Sequence, residues 1–78
     1  MFQVIKRDGS KADFTLTKIN DAIMKAFTAT QMSYNNDIID LLALRVTADF
    51  QKKVENDEIH VEDIQDSVER VLGQAGYE

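Results

Sequence analysis

Two rhythms of apolar and polar residues divide the chain. Residues 3–7 (QVIKR) and 11–14 (KADF) read as two short extended strands. Between them Asp8-Gly9 supplies residues that tolerate positive φ, which predicts a hairpin closed by a type I′ turn or by a related turn with a bulge. Strand geometry sets Val4 and Lys6 on one face and Ile5 and Arg7 on the other. A lone hairpin is marginal in water, so helices are expected to cover it.

The rest of the chain repeats at helical spacing. In TLTKINDAIMKAFTAT, residues 15–30, an apolar stripe runs through Leu16, Ile19, Ile23, Ala26 and Phe27, with Thr15 or Thr17 available as cap and Lys18 in the first turn off the stripe. A second helix is predicted over 37–54, capped by Asn36, with Ile38, Leu41, Leu42, Val46, Phe50 and Val54 facing inward. Asp37 and Asp40 near its start and Lys52 and Lys53 near its end suit the helix dipole. ENDE is a polar turn, and IHV is a third strand or only a tight connection. A third helix presents Ile64, Val68, Val71 and Leu72, with Gly73 as its stop. The order predicts an α+β fold: an N-terminal β-hairpin, with or without a short third strand, packed on a small bundle of three helices.

Composition narrows the function. Seventy-eight residues make one domain, and 44% hydrophobic content suits a folded one. There is no proline and no low-complexity stretch to mark a linker. With no cysteine, there is no disulfide and no thiolate metal site. No apolar run reaches 18 residues, and the opening MFQVIKRDG has no signal-peptide core, so the expected location is cytoplasmic, with no membrane partner. The net charge of −5 argues against a nucleic-acid partner. Charge is unevenly spread, however. Residues 1–25 carry +2 and residues 26–78 carry −7. A small positive island on an acidic body suits a compact anion.

Catalytic patterns are absent. His60 is the single histidine and sits beside a turn, and no serine lies in a G-x-S-x-G context. There is no P-loop, dinucleotide fingerprint or calcium loop, and VENDEIHVED reads as a solvated acidic stretch. What remains is Lys6 and Arg7 ending the first strand and Lys18 opening the first helix. A hairpin folded onto that helix would bring them to a terminus that already favours anions through its free N–H groups. Such a site would grip a phosphate chain, with Val4, Ile19 and the apolar part of the third helix walling a base. The competing structural reading is a solvent-facing Lys-Arg pair that discourages edge-to-edge pairing of the hairpin.

The stretch VIKRDGSKADFTLTKI resembles the opening of the ATP-cone, the regulatory nucleotide-binding domain at the N-terminus of many ribonucleotide reductases. Val4, Lys6, Arg7, Asp8, Gly9, Lys18 and Ile19 stand where that pattern has V-x-K-R-D-G and its K-I pair, and IHVEDIQDSVERVLGQAGYE is similar to its closing part. The resemblance implies that Val4, Lys6, Arg7, Thr15, Lys18, Ile19, Val61 and Gln65 bind the nucleotide, with Val61 offering only backbone groups to adenine. Two departures bear on the site: Ala12, beside Asp13, stands where some relatives have an acid, and Gln65 where aerobic enzymes often have histidine.

The implied ligand is ATP or dATP, with Mg²⁺ travelling on the triphosphate. The implied role is allosteric control of overall activity, with the parent's catalytic domain as partner and cone-to-cone contacts in an oligomer. IQDSVE and GQAGYE look most like the anaerobic, glycyl-radical ribonucleoside-triphosphate reductases. A further helix usually follows GY in that family, and Tyr77 has nothing after it to pack on, so residues 1–78 are expected to be one domain cut from a longer chain. Two other functions fit the residues: a protein-docking module without a small ligand, or the cone of a nucleotide-sensing reductase repressor, which would carry a cysteine zinc ribbon that this sequence lacks.

Overall fold

A computed structural model describes residues 2–31 and 33–76. Its elements run β1 (Gln3–Ile5), β2 (Lys11–Asp13), α1 (Leu16–Ala29), α2 (Asn36–Phe50), a 3-10 turn (Gln51–Lys53), β3 (Glu58–His60) and α3 (Val61–Gln74). This is the α+β arrangement the pattern predicts; Ile59 and His60 of IHV lie in a third strand, whereas Val61 opens α3. The sheet order is β2-β1-β3, with β1 antiparallel to β2 and parallel to β3. Val4 pairs with Ala12 on one side and Ile59 on the other, so these three share the face that the helices cover. The opposite face carries Gln3, Lys11, Asp13, Glu58 and His60 around Ile5, and Lys11 forms an ion pair with Glu58 across β1.

The hairpin turn takes the bulged alternative. Gly9 donates its N–H to the Lys6 carbonyl at 2.9 Å, so Arg7 and Asp8 are the central residues of the turn. Gly9 follows in the left-handed region at φ +87°, while Asp8 keeps negative φ, which rules out a type I′ turn on Asp8-Gly9. Asp8 locks the turn by accepting from the Ser10 hydroxyl at 2.6 Å and the Ser10 backbone N–H at 2.9 Å. Those bonds hold its carboxyl below the usual range. The second turn, Asn56-Asp57, does have positive φ at both positions, 53° and 60°, with Glu55 and Glu58 exchanging backbone hydrogen bonds across it.

The helices depart from the expected pattern at four points. Asn35, not Asn36, caps α2, its side chain accepting from the Ile38 N–H at 2.9 Å. The buried stripe of α2 runs through Ile39, Leu42, Ala43, Val46 and Phe50, which leaves Leu41 58% exposed and Ile38 half-buried. In the run IIDLLAL almost every phase offers apolar residues, and packing against both neighbouring helices selects the one that buries Ile39 and Ala43. Finally, α3 passes through Gly73 and ends at Gln74, with Gly76 in the left-handed region beyond it. The expectation about Tyr77 lies outside the described residues. Leu16 is also more exposed than its place on the α1 stripe suggests, at 40%.

The core joins Ile19, Ile23 and Phe27 of α1 to the α2 stripe and to Ile64, Val68, Val71 and Leu72 of α3. α2 is the central helix, packed against both of the others. Near its end Asp49 is clasped by Arg70 of α3, with Arg70 Nη2 at 2.6 Å and Nε at 3.1 Å from Oδ2. Hydrogen bonds from Arg70 and then from the buried Ser67 lower the Asp49 pKa to about 2. A depressed carboxyl contributes stability above its unfolded pKa and loses it as the pH falls through the folded value. The clasp therefore acts fully above about pH 4 and fades toward pH 2. In an acid titration followed by circular dichroism, Arg70→Met is expected to unfold at a higher pH than wild type, the two curves converging near pH 2.

Candidate functional site

The hairpin, α1 and α3 meet around a half-open cavity of about 200 Å³. It exists because α1 and α3 each pack on α2 rather than along one another, and the sheet roofs the gap between them. Val4, Ala12, Phe14, Ile19, Ala22, Val61, Ile64 and Val68 make it mainly apolar, and Lys6, Asp13, Thr15, Lys18 and Gln65 supply its polar groups. A second, shallower shelf adjoins it and shares Lys6, Val61 and Gln65 while adding Arg7 and Asp8.

Each candidate residue has a traceable position. Val4 lies on the helix-facing side of central strand β1, and Lys6 keeps that orientation two residues on. Thr15 occupies the N-cap position of α1 in extended conformation, but its side chain makes no capping bond, so the hydroxyl is free at the cavity wall. Lys18 and Ile19 follow in the first turns of α1, and Val61 and Gln65 lie one turn apart on α3. Of the eight candidates, Arg7 alone is outside the cavity lining. It does not point away, as simple alternation implied. Sitting in the turn, it crosses to α3 and donates from Nη2 to Gln65 Oε1 at 2.7 Å.

The electrostatics favour an anion at the mouth. Lys6 and Lys18 are exposed and have no carboxylate partner among the described residues, and the first turn of α1 contains no acidic residue. Asp8, two residues on from Lys6, accepts two hydrogen bonds from Ser10 and keeps its negative charge near Lys6. The cavity is smaller than the roughly 300–1,000 Å³ typical of a pocket that swallows a whole ligand, so it suits one flat apolar ring with the charged remainder lying outside over the cations. The polar groups of the lining are two lysines, one aspartate, one threonine and one glutamine. His60 instead borders a separate polar basin with Lys52, Lys53 and Glu55.

Sequence reasoning had not assigned Ala12, Asp13, Phe14, Ala22, Ile64 or Val68 individually to this site. A signal for part of the set was available: Val61, Ile64, Gln65 and Val68 recur at i, i+3, i+4 and i+7, one face of α3, and Ala22 stands one turn after Lys18.

A mainly apolar chamber with a cationic rim, built from a three-stranded sheet and three helices, defines a small ligand-binding module. Residues 2–78 match the family described as the ATP cone domain, and the chain belongs to that family. It is also 38% identical over 84 residues to the ribonucleoside-diphosphate reductase subunit alpha of Chlamydia pneumoniae, an alignment covering 95% of this chain. The chain spans 8% of the length of that relative.

Proposed function

We propose that this domain is a nucleotide-sensing regulator of a ribonucleotide reductase, taking ATP or dATP with the base in the cavity and the triphosphate over Lys6, Arg7 and Lys18. The observation that carries the reading is that seven of the eight candidate residues line one chamber and the eighth, Arg7, lines the shelf against it. The domain would act on the catalytic body of its parent chain, located in the cytoplasm, and would not itself catalyse. Mg²⁺ would travel with the triphosphate. ATP and dATP satisfy the cations equally. Only groups near the ribose can give the differential affinity that shifts an equilibrium. Titration of ¹⁵N-labelled protein with ATP, dATP and GTP is expected to shift amides of residues 4–9 and 15–20 with the adenine nucleotides. Shifts confined to α2 would move the site elsewhere.

Within this proposal we assign the parent to the anaerobic ribonucleoside-triphosphate reductases, on the IQDSVE and GQAGYE wording of α3 and its end, of which Tyr77 and Glu78 lie outside the described residues. The Chlamydia relative is a diphosphate reductase, so the deciding assay offers the parent enzyme both di- and triphosphates without oxygen. Turnover of diphosphates alone would remove the anaerobic assignment. A second reading, docking on another protein with no small ligand, draws support from Leu41 and Leu44, exposed at 58% and 59% on the outer face of α2. It expects no calorimetric response to either nucleotide. Under the first reading that same apolar pair is a surface for the catalytic body or a second cone.

A further inference from the structure

Gln65 belongs to both compartments of the site, lining the apolar chamber with Val61, Ile64 and Val68 and the outer shelf with Lys6 and Arg7. On the shelf side its Oε1 accepts from Arg7 Nη2 at 2.7 Å. A guanidinium carries donors only, so a carboxamide can meet it only through its oxygen, and the flipped amide would set donor against donor. With Oε1 held by Arg7, the atom left over is Nε2, which makes no hydrogen bond among the described residues. A freely turning glutamine can present either its donor or its acceptor in any direction, whereas this one is held with its oxygen toward Arg7 and its N–H pair turned away from the guanidinium.

We propose that Arg7 orients Gln65 to present its donor to the ligand's base: Gln65 Nε2 donates to an unprotonated ring nitrogen of a purine lodged in the chamber. The inference rests on the nucleotide-sensing reading and names how that site chooses its base. Arg7 is a positioning residue here. One of its five N–H groups is used on Gln65, and the others remain for phosphate oxygens on the open side of the shelf. A single planar group thus joins the phosphate grip to the base reading. A base edge that presents N–H at the same place would meet Nε2 donor to donor, so selectivity comes from rejection as well as attraction.

The test compares ATP with its 1-deaza, 3-deaza and 7-deaza analogues, each of which replaces one ring nitrogen by C–H, using calorimetry on the protein that carries this domain. Wild type is expected to bind one of the three about fivefold more weakly than ATP, the worth of one ordinary hydrogen bond. Gln65→Glu keeps the Arg7 clasp as an ion pair but has no N–H to give, so the analogue-to-ATP ratio should fall to about one even if every affinity drops in parallel. Arg7→Met frees the amide to turn and should bring the ratio below about twofold. If Gln65 served only to brace the hairpin on α3, Gln65→Glu would leave the ratio unchanged, and that result overturns the inference. So does a wild type indifferent to all three analogues. No binding of ATP to wild type would overturn the nucleotide-sensing reading along with it, whereas binding with an unaltered ratio removes the base-reading inference alone.

Discussion

Replacing Lys6 and Lys18 together by alanine is expected to weaken ATP binding at least a hundredfold while leaving the domain folded. Both side chains are exposed at the cavity mouth, and neither forms an ion pair among the described residues, so the folded protein loses little without them. Surface changes of this kind usually alter stability by no more than about 0.5 kcal/mol. Binding is another matter. A hydrogen bond to a charged group contributes about 1.5–3 kcal/mol, so two of them amount to roughly 3–6 kcal/mol. Each 1.4 kcal/mol is about tenfold in affinity, which sets the lower bound at about two decades. Calorimetry with ATP reads the loss, and a urea melt followed by circular dichroism checks the fold. A double variant that bound ATP like wild type would show that the phosphates lie away from the hairpin and the start of α1.

Much of the core and the outline of the candidate cavity were legible in the sequence: the expected Ile19, Ile23 and Phe27 of α1, Leu42, Val46 and Phe50 of α2 and Ile64, Val68, Val71 and Leu72 of α3 are all buried. Lys6, Arg7 and Lys18 stand out because an acidic chain places cations there, and Asp8-Gly9 announces the turn that folds them back. Strand alternation was enough to put Val4 and Lys6 on the cavity side. It failed for Arg7, because a residue in a turn no longer obeys period two and is aimed by its partner, here Gln65, 58 positions away. The phase of α2 was legible only in part, for a different reason: Leu42, Val46 and Phe50 are buried as expected, but Leu41 is not. Its apolar residues occupy several faces, and only the two helices packed on it decide that Ile39 goes inside and Leu41 outside. The parallel pairing of β1 with β3 is likewise a long-range fact. Nothing local in EIH says that it lies beside Gln3–Ile5 rather than extending the connection. Local chemistry could be read one residue at a time, while contacts between distant elements could not.

Phe50→Ala is expected to have the largest effect on the fold itself. Phe50 is fully buried at the end of α2 and meets two rings edge-on, Phe2 at 5.8 Å and Phe14 at 5.7 Å, which are themselves stacked at 4.6 Å. Phe2 and Phe14 flank the two strands of the hairpin, and the Phe14 N–H donates to the Phe2 carbonyl at 3.2 Å. The aromatic trio is therefore the clasp between hairpin and helices. Truncating a buried phenylalanine to alanine costs about 3–5 kcal/mol. A domain of this length has a total stability of roughly 4–12 kcal/mol. The variant should melt at least about 12 °C below wild type, since each 1 kcal/mol moves the midpoint of so small a domain by about 4–8 °C. Phe50→Leu keeps most of the volume and gives up mainly the edge-to-face contacts, worth about 0.5–1.5 kcal/mol each, so it should remain folded at room temperature. Because Phe14 packs on Phe50 and also lines the cavity, the leucine variant carries the effect from core to site. Its hairpin amides should shift, and ATP should bind more weakly although every phosphate-facing cation is in place. A Phe50→Ala protein melting within a few degrees of wild type would mean that pairing with β3 alone holds the hairpin down, and the ring cluster would lose its role in shaping the chamber.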